Sequence, residues 1–239
     1  MQSMHLSIVI PMRNEEQNVG PLAAELRILA SKLADMEAVF VDDGSRDGTW
    51  ERLREIAVAN PNFRAIRLPR PMGQSAAIWH GLRASHGEIL ATMDGDLQND
   101  PSDIPKLLKA LDEADVVFGY RMPRRDTAWR RLAGRIANAI RAWALGDGIR
   151  DAGCGLKVFR RECFPDLPLW DGMHRFMPVY FRLNARRIVE VATTHRPRRS
   201  GSSHYSVGAR ALRGGFDLIG LAWQRRRHLK MVVPEEQAH

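Results

Sequence analysis

The chain has 239 residues, 44% of them apolar, enough for one large domain with a sizeable core, and its net charge of +8 is unevenly spread. Residues 1–120 hold 12 Lys/Arg against 18 Asp/Glu, whereas residues 121–239 hold 24 against 10. Two cysteines, Cys154 and Cys163, exclude a disulfide framework and lack zinc-site spacing; no apolar stretch reaches the ~18 residues that span a bilayer; and sparse aromatics without an RNA-binding or helix-turn-helix signature argue against nucleic acid.

This balance implies a cytoplasmic protein, soluble or peripheral on a membrane. An acidic first half suits metal and neutral sugar or base, and a basic second half suits phosphate or an anionic membrane surface. Along the chain, Leu6 to Ile10 is a short β-branched run ended by Pro11, which reads as a buried parallel strand. Helical spacing follows from Asn18 to Leu33, and Ala38 to Val41 makes a second strand stopped by Asp42-Asp43-Gly44-Ser45. A helix at Thr49 to Ala59, a strand at Phe63 to Leu68, a helix at Ser75 to Ser85 and a strand at Ile89 to Met93 continue the alternation. Beyond a helix at Asp103 to Asp112 and a strand at Val116 to Gly119, the pattern loosens. A basic helical stretch at Thr127 to Leu145 and a turn-rich segment at Gly146 to Gly155 precede a late strand at Val189 to Thr194 and a helix from Val207 to Lys230.

Such alternation predicts an α/β fold, a mostly parallel sheet sandwiched by helices with a C-terminal helical extension. Its expected organisation is a main domain over 1–205, with an acidic half at 1–120 suited to metal and a basic half at 121–205 suited to phosphate, then a basic amphipathic helix and tail over 206–239. Ligands of open α/β sheets sit beyond the C-terminal strand ends. Three polar segments occupy such ends: Pro11-Met12-Arg13-Asn14-Glu15, Asp42-Asp43 and Asp94-Gly95-Asp96.

Asp94 and Asp96 flank a glycine at a strand end and are suited to hold magnesium or manganese, with Gln98 adding a carbonyl oxygen. Asp42-Asp43-Gly44-Ser45 reads either as part of the site or as a strand-ending turn in which Asp43 caps the next helix. Asp151 reads either as a general base for a hydroxyl or as a turn cap, and His174 and Arg175 face either a phosphate or solvent. The C-terminal helix, with Leu218, Ile219, Leu221 and Trp223 before the basic run Arg225 to Lys230, suits an interfacial anchor and packing on the sheet equally.

In combination, Val9-Ile10-Pro11-Met12-Arg13-Asn14-Glu15-Glu16, Val41-Asp42-Asp43-Gly44-Ser45-Arg46-Asp47-Gly48-Thr49 and Met93-Asp94-Gly95-Asp96-Leu97-Gln98-Asn99-Asp100-Pro101 resemble glycosyltransferase family 2, and within it the polyprenyl-phosphate sugar transferases of the dolichol-phosphate mannose synthase type. The resemblance covers residues 6 to about 215 and implies a GT-A-like fold, a GDP- or UDP-linked sugar donor, a divalent cation, a lipid phosphate acceptor and inversion at the sugar carbon. It assigns Pro11, Arg13, Glu15, Val41, Asp42, Asp43, Asp94 and Gly95 to the nucleotide site, and Asp94, Asp96 and Gln98 to the cation. By the same match Arg121, Arg135 and Arg198 are phosphate-contacting, and His204 stands where the family has lysine. An unperturbed imidazole titrates near ~6.5, so its charge at that position depends on pH and on nearby anions. The alternatives are a sugar or lipid hydroxyl acceptor with Asp151 as base, and a non-catalytic protein that binds nucleotide sugar.

Overall fold

The computed structural model describes residues 5–33, 35–122, 141, 143–197 and 207–227, the backbone alone at 207–213. In chain order its elements are β1 (Leu6–Met12), α1 (Glu16–Ala30), β2 (Met36–Asp42), α2 (Thr49–Ala59), β3 (Phe63–Arg67), α3 (Gln74–Ala84), β4 (Ile89–Thr92), α4 (Ile104–Ala110), β5 (Val116–Met122), β6 (Lys157–Arg160), α5 (Met173–Leu183), β7 (Ile188–Thr194) and α6 (Val207–Arg226). The strands form one seven-stranded sheet in the order β3-β2-β1-β4-β6-β5-β7.

Both faces of this sheet are covered, which is why its strands read as continuous apolar runs. Ile8, Ile10, Phe40, Val117 and Val158 point to the side of α1, α2 and α4, where Leu22, Leu26, Leu53 and Leu107 meet them. Val9, Val39, Val41, Leu90, Phe118 and Phe159 point the other way, onto Ala77 and Leu82 of α3 and Met177 and Phe181 of α5. Alternation of side chains along each strand feeds both layers from the same residues.

From β1 the chain steps outward through β2 to β3, then returns to lay β4 on the opposite side of β1. This reversal opens a crevice at the C-terminal ends of β1 and β4, where ligands of such sheets bind. Among the described strands β6 alone runs against its neighbours, antiparallel to both β4 and β5. An antiparallel strand brings its first residue to the edge where parallel strands bring their last. Lys157 therefore pairs with Thr92, beside the start of the Asp94 loop.

Sequence periodicity misses β6 and α5. The strand is four residues long and closed by a charge at each end, and α5 carries Pro178 inside it, normally a helix breaker. α6 starts at the expected Val207 and ends at Arg226; Lys230 lies outside the described residues.

The opposite edge of the sheet is fastened by Glu37, a buried residue of β2. Burial by itself would push this carboxyl up, but Ser7 Oγ and the His86 N–H each donate to it at 2.6 Å and Arg64 Nη1 at 2.9 Å. Together they bring it down from 4.5 to about 2. A carboxyl depressed in the folded state stabilises the fold above its unfolded pKa, and that contribution is lost as pH falls through the folded value. Glu37→Gln is expected to destabilise by about 1–3 kcal/mol at neutral pH. In urea unfolding the gap from the parent chain should narrow steadily below pH 4.5, towards about 2; a pH-independent gap refutes the assignment.

Candidate active site

Hydrogen bonds between loops build one rim of the crevice. The Asn14 N–H donates to Ser45 Oγ and the Glu15 N–H to Thr49 Oγ1, both at 2.9 Å, while Asn14 Oδ1 accepts from the Arg46 N–H. The segment after β1 is thereby sewn to the segment after β2. Asp43 accepts from the Met72 N–H at 2.6 Å and from the Gly73 N–H at 2.9 Å, with Arg13 Nη1 4.0 Å away. It caps the approach to α3 rather than the next helix in sequence, whose first residue Thr49 is held by Asp47. Asp42 is fully buried, accepts from the Ser45 N–H at 3.0 Å and lies 3.2 Å from Arg67 Nε. Val41 sends its side chain into the core beneath α3, so it supplies none to the rim. Beside these residues a cleft of about 500 Å³ opens, lined among others by Gly44, Ser45, Arg67, Leu68 and Arg70.

Charge concentrates at the end of β4. Asp94 Oδ1 accepts from Gln74 Nε2 at 2.9 Å, and the Asp94 N–H donates to Asn99 Oδ1 at 3.2 Å. The Asp94 carboxylate lies so close to Gly155 that a β-carbon there would stand 2.2 Å from Oδ2. Any side chain at Gly155 would displace the acid. Burial first, then the neighbouring charge of Asp96, raise the Asp94 pKa; Lys157, Arg121 and Gln74 oppose the rise. Lys157 is itself buried and its pKa is lowered by that burial, against the pull of Cys154, Asp94 and Asp151. Its ammonium donates to the Cys154 carbonyl and lies 5.9 Å from the centre of the Phe118 ring.

Arg121 and Asp151 form a two-pronged pair, Nε to Oδ2 and Nη2 to Oδ1, each at 2.7 Å. Burial alone would lower the Arg121 pKa, but Asp151 raises it. With both oxygens on one guanidinium, Asp151 is arranged to aim Arg121 rather than to take a proton. Further along, the Gln98 N–H donates to Asp96 Oδ1 at 3.2 Å, and the Arg196 N–H donates to the Gln98 carbonyl at 2.9 Å. The chain leaving β7 thus adjoins the Asp94 loop. Arg135, Arg198 and His204 lie outside the described residues.

The structure brings together Asp94, Gly95, Asp96, Gln98, Arg121 and Asp151 at one edge, with Pro11, Arg13, Glu15, Asp42 and Asp43 along the neighbouring strand ends. Lys157 is the residue that reading the sequence missed, although it closes the segment Asp151 to Lys157 already singled out. Among the described residues no three His, Cys, Asp or Glu side chains gather as a metal cluster. The oxygens at hand are those of Asp94, Asp96 and Gln98, hard donors of the kind magnesium and manganese prefer. Two acids that raise a pKa by proximity make a place that a divalent cation relieves. The residues therefore fit such an ion, with other positions left to substrate oxygens.

Comparison with known proteins agrees with this geometry. The pattern described as Glycosyl transferase family 2 matches residues 7–167. A dodecaprenyl-phosphate galacturonate synthase of Rhizobium johnstonii is 37% identical over 235 residues, covering 95% of this chain and 69% of its own. An undecaprenyl-phosphate 4-deoxy-4-formamido-L-arabinose transferase of Pseudomonas syringae pv. syringae is 36% identical over 217 residues, covering 90% of this chain and 64% of its own. The chain thus spans about two thirds of the length of these relatives. Among solved structures, glucosyl-3-phosphoglycerate synthase from Mycobacterium tuberculosis, in complex with Mn2+, UDP-glucose and phosphoglyceric acid, superposes with a TM-score of 0.70 at 20% identity, covering 93% of this chain and 79% of that one. At that identity the likeness is one of fold, an α/β fold of GT-A type.

Because the folded pKa of Asp94 is raised, ionisation weakens the fold, a penalty that is full above the folded pKa, shrinks as pH falls below it and is gone below the unfolded pKa. At neutral pH and without added metal, Asp94→Asn is therefore expected to melt at or above the midpoint of the parent chain. A clear fall in the midpoint that persists at alkaline pH contradicts this electrostatic account.

Proposed function

The chain belongs to glycosyltransferase family 2, and on that footing we propose that it moves a sugar from a GDP- or UDP-linked donor to the phosphate of a polyprenyl lipid at the cytoplasmic face of a membrane. The observation that carries the reading is the Asp94–Asp96 pair set beside Lys157 and the Arg121–Asp151 pair. Such a mixture of acids and cations suits a diphosphate leaving group better than a neutral substrate. The names of the two polyprenyl-phosphate relatives support the acceptor, and the neighbour solved with Mn2+ and UDP-glucose supports the donor class.

In this reading the cleft lined by Gly44, Ser45 and Arg67 receives base and ribose, with Arg13, Glu15, Asp42 and Asp43 on the adjoining strand ends. A magnesium or manganese ion held by Asp94, Asp96 and Gln98 would offset the negative charge on the departing diphosphate. Arg121, aimed by Asp151, steadies phosphate oxygens, and Arg135, Arg198 and His204 add positive charge. A lipid phosphate oxygen is already ionised, so the reaction asks for positioning and charge neutralisation instead of a base. It forms the new bond to the sugar carbon from the face opposite the diphosphate, whose bond breaks, and the configuration inverts.

α6 supports the membrane side. Leu221 is buried, with Leu218 and Ala222 packed beside it, while Arg175 pairs with Asp217 at 2.9 Å and Tyr180 Oη donates to Gln224 at 3.2 Å. The helix also bears an outward apolar stripe: Phe216 and Ile219 are each 69% exposed and Trp223 is 60% exposed. At ~100° per residue, this stripe lies nearly opposite the buried one, with the exposed Arg226 beside it. Among the described residues no helix is long and apolar enough to cross a membrane. A helix with one face on the core and another apolar face edged by arginine suits adsorption to an anionic bilayer.

Purified protein should melt higher with UDP or GDP, or with their sugars, and more so with manganese, since a ligand bound only by the native state stabilises it. Added polyprenyl phosphate should yield sugar-linked lipid, and Asp94→Asn or Asp96→Asn should slow turnover by about a hundredfold or more. No shift with any nucleotide, or undiminished turnover in both variants, rejects the proposal. In sedimentation with phosphatidylcholine vesicles containing phosphatidylglycerol, replacing Phe216, Ile219 and Trp223 by serine should weaken adsorption about tenfold or more. Equal adsorption would place the membrane contact elsewhere on the chain.

A further inference from the structure

The first turn of α3, whose Gln74 holds Asp94, meets the first turn of α5 through a short hydrogen-bonded chain. The Gly172 N–H donates to Ser75 Oγ at 2.9 Å, and Ser75 Oγ stands 2.7 Å from His174 Nδ1. Ser75 is 1% exposed, so its hydroxyl has little recourse to water. Having accepted from Gly172, the hydroxyl has its own hydrogen left to give, and among the described residues its other partner at hydrogen-bonding distance is Nδ1. An imidazole that accepts at Nδ1 carries its hydrogen at Nε2.

The backbone fixes this arrangement. Gly172 has φ +112°, and a β-carbon there would come 2.9 Å from the Trp170 ring and 3.0 Å from Arg175 Nη2. Only glycine delivers that N–H to Ser75 without strain. Burial, with Lys157 and Arg175 nearby, brings the His174 pKa down to about 3, so the ring stays neutral through the working range of pH. Protonation would place a third cation beside two.

Location suggests what the ring serves. Gln74, next to Ser75, holds Asp94, so the imidazole is anchored one residue from the partner of the acid assigned to the donor. Phosphate charge in this region already has Arg121 to meet it. A neutral N–H adds something different, recognition of an uncharged oxygen, and a site built to bond a hydroxyl rejects analogues that lack it.

We infer that His174, held in its Nε2–H form by Ser75, donates a hydrogen bond to a hydroxyl of the sugar being transferred. This rests on the donor reading above. His174 is then a substrate-contacting residue, and Ser75 a positioning residue that acts through it.

The test uses the full chain, UDP with UDP-glucose and GDP with GDP-mannose, and calorimetry in manganese. His174→Ala should weaken the nucleotide sugar about three- to tenfold, the size of one neutral hydrogen bond, and leave the nucleoside diphosphate unchanged. His174→Gln, whose amide nitrogen falls near the position of Nε2, should recover most of that loss, and His174→Asn should not. In long-range nitrogen-15 spectra of histidine-labelled protein, the His174 resonance should show the Nε2–H pattern from pH 5.5 to 8, and Ser75→Ala should mix the two tautomers. Equal weakening of nucleotide and nucleotide sugar, unchanged affinity for both, a raised KM for lipid phosphate alone, or an Nδ1–H pattern in the parent chain overturns the inference. If the parent binds neither nucleotides nor their sugars, the donor reading falls and this inference with it; if it binds them and His174→Ala is indifferent, only this inference falls.

Discussion

The placement of the Asp94 carboxylate against the backbone of Gly155 is the constraint on which the site depends. The acid follows β4, and the glycine precedes β6, the strand beside it. Contact this close leaves no room for a side chain and deprives the carboxylate of water on that side. Its charge must then be balanced by neighbours: Gln74 from α3, Arg121 from β5 and Lys157 from β6. Each element around the crevice contributes a group because the partly buried acid needs compensation from several sides.

Reversal of β6 makes this compensation possible. In an all-parallel sheet, only strand C-termini and the loops that follow them would reach this edge. An antiparallel strand adds the loop that precedes it, here Asp151 to Leu156, and its first residue, Lys157. A lysine that sequence alone would place on the surface becomes 4% exposed. Its ammonium keeps a carbonyl partner, which offsets part of the desolvation that such burial imposes. The same loop carries Asp151, which turns Arg121 into a fixed donor instead of a mobile surface side chain.

Stability and site chemistry are separated between the two ends of the sheet. At one end Glu37 is ionised and satisfied by three donors, and it strengthens the fold. Near the other end of the sheet, burial and Asp96 raise the Asp94 pKa, so ionising this carboxyl weakens the fold. A site prepared to receive positive charge is expected to be strained without it. α6 shows a comparable division across its width, one face spent on α5 and the core and the other left apolar towards solvent.

Local pattern determined a large part of this protein. Apolar runs and helical spacing marked β1 to β5, β7, α1 to α4 and α6, because a sheet covered on both faces demands unbroken apolar strands and its helices demand one apolar stripe each. The strand-end segments Pro11 to Glu15, Asp42-Asp43 and Asp94-Gly95-Asp96 were equally legible, since a parallel sheet brings all such ends to one edge. Tertiary structure alone decided the direction of β6, the helix that tolerates Pro178, the burial of Lys157, the removal of Val41 from the rim, and the bonding of His174 to Ser75 across 99 residues. The reason is physical: periodicity records which side of an element faces the core, whereas strand direction and long-range pairing depend on contacts between residues far apart in the chain, which no local window contains.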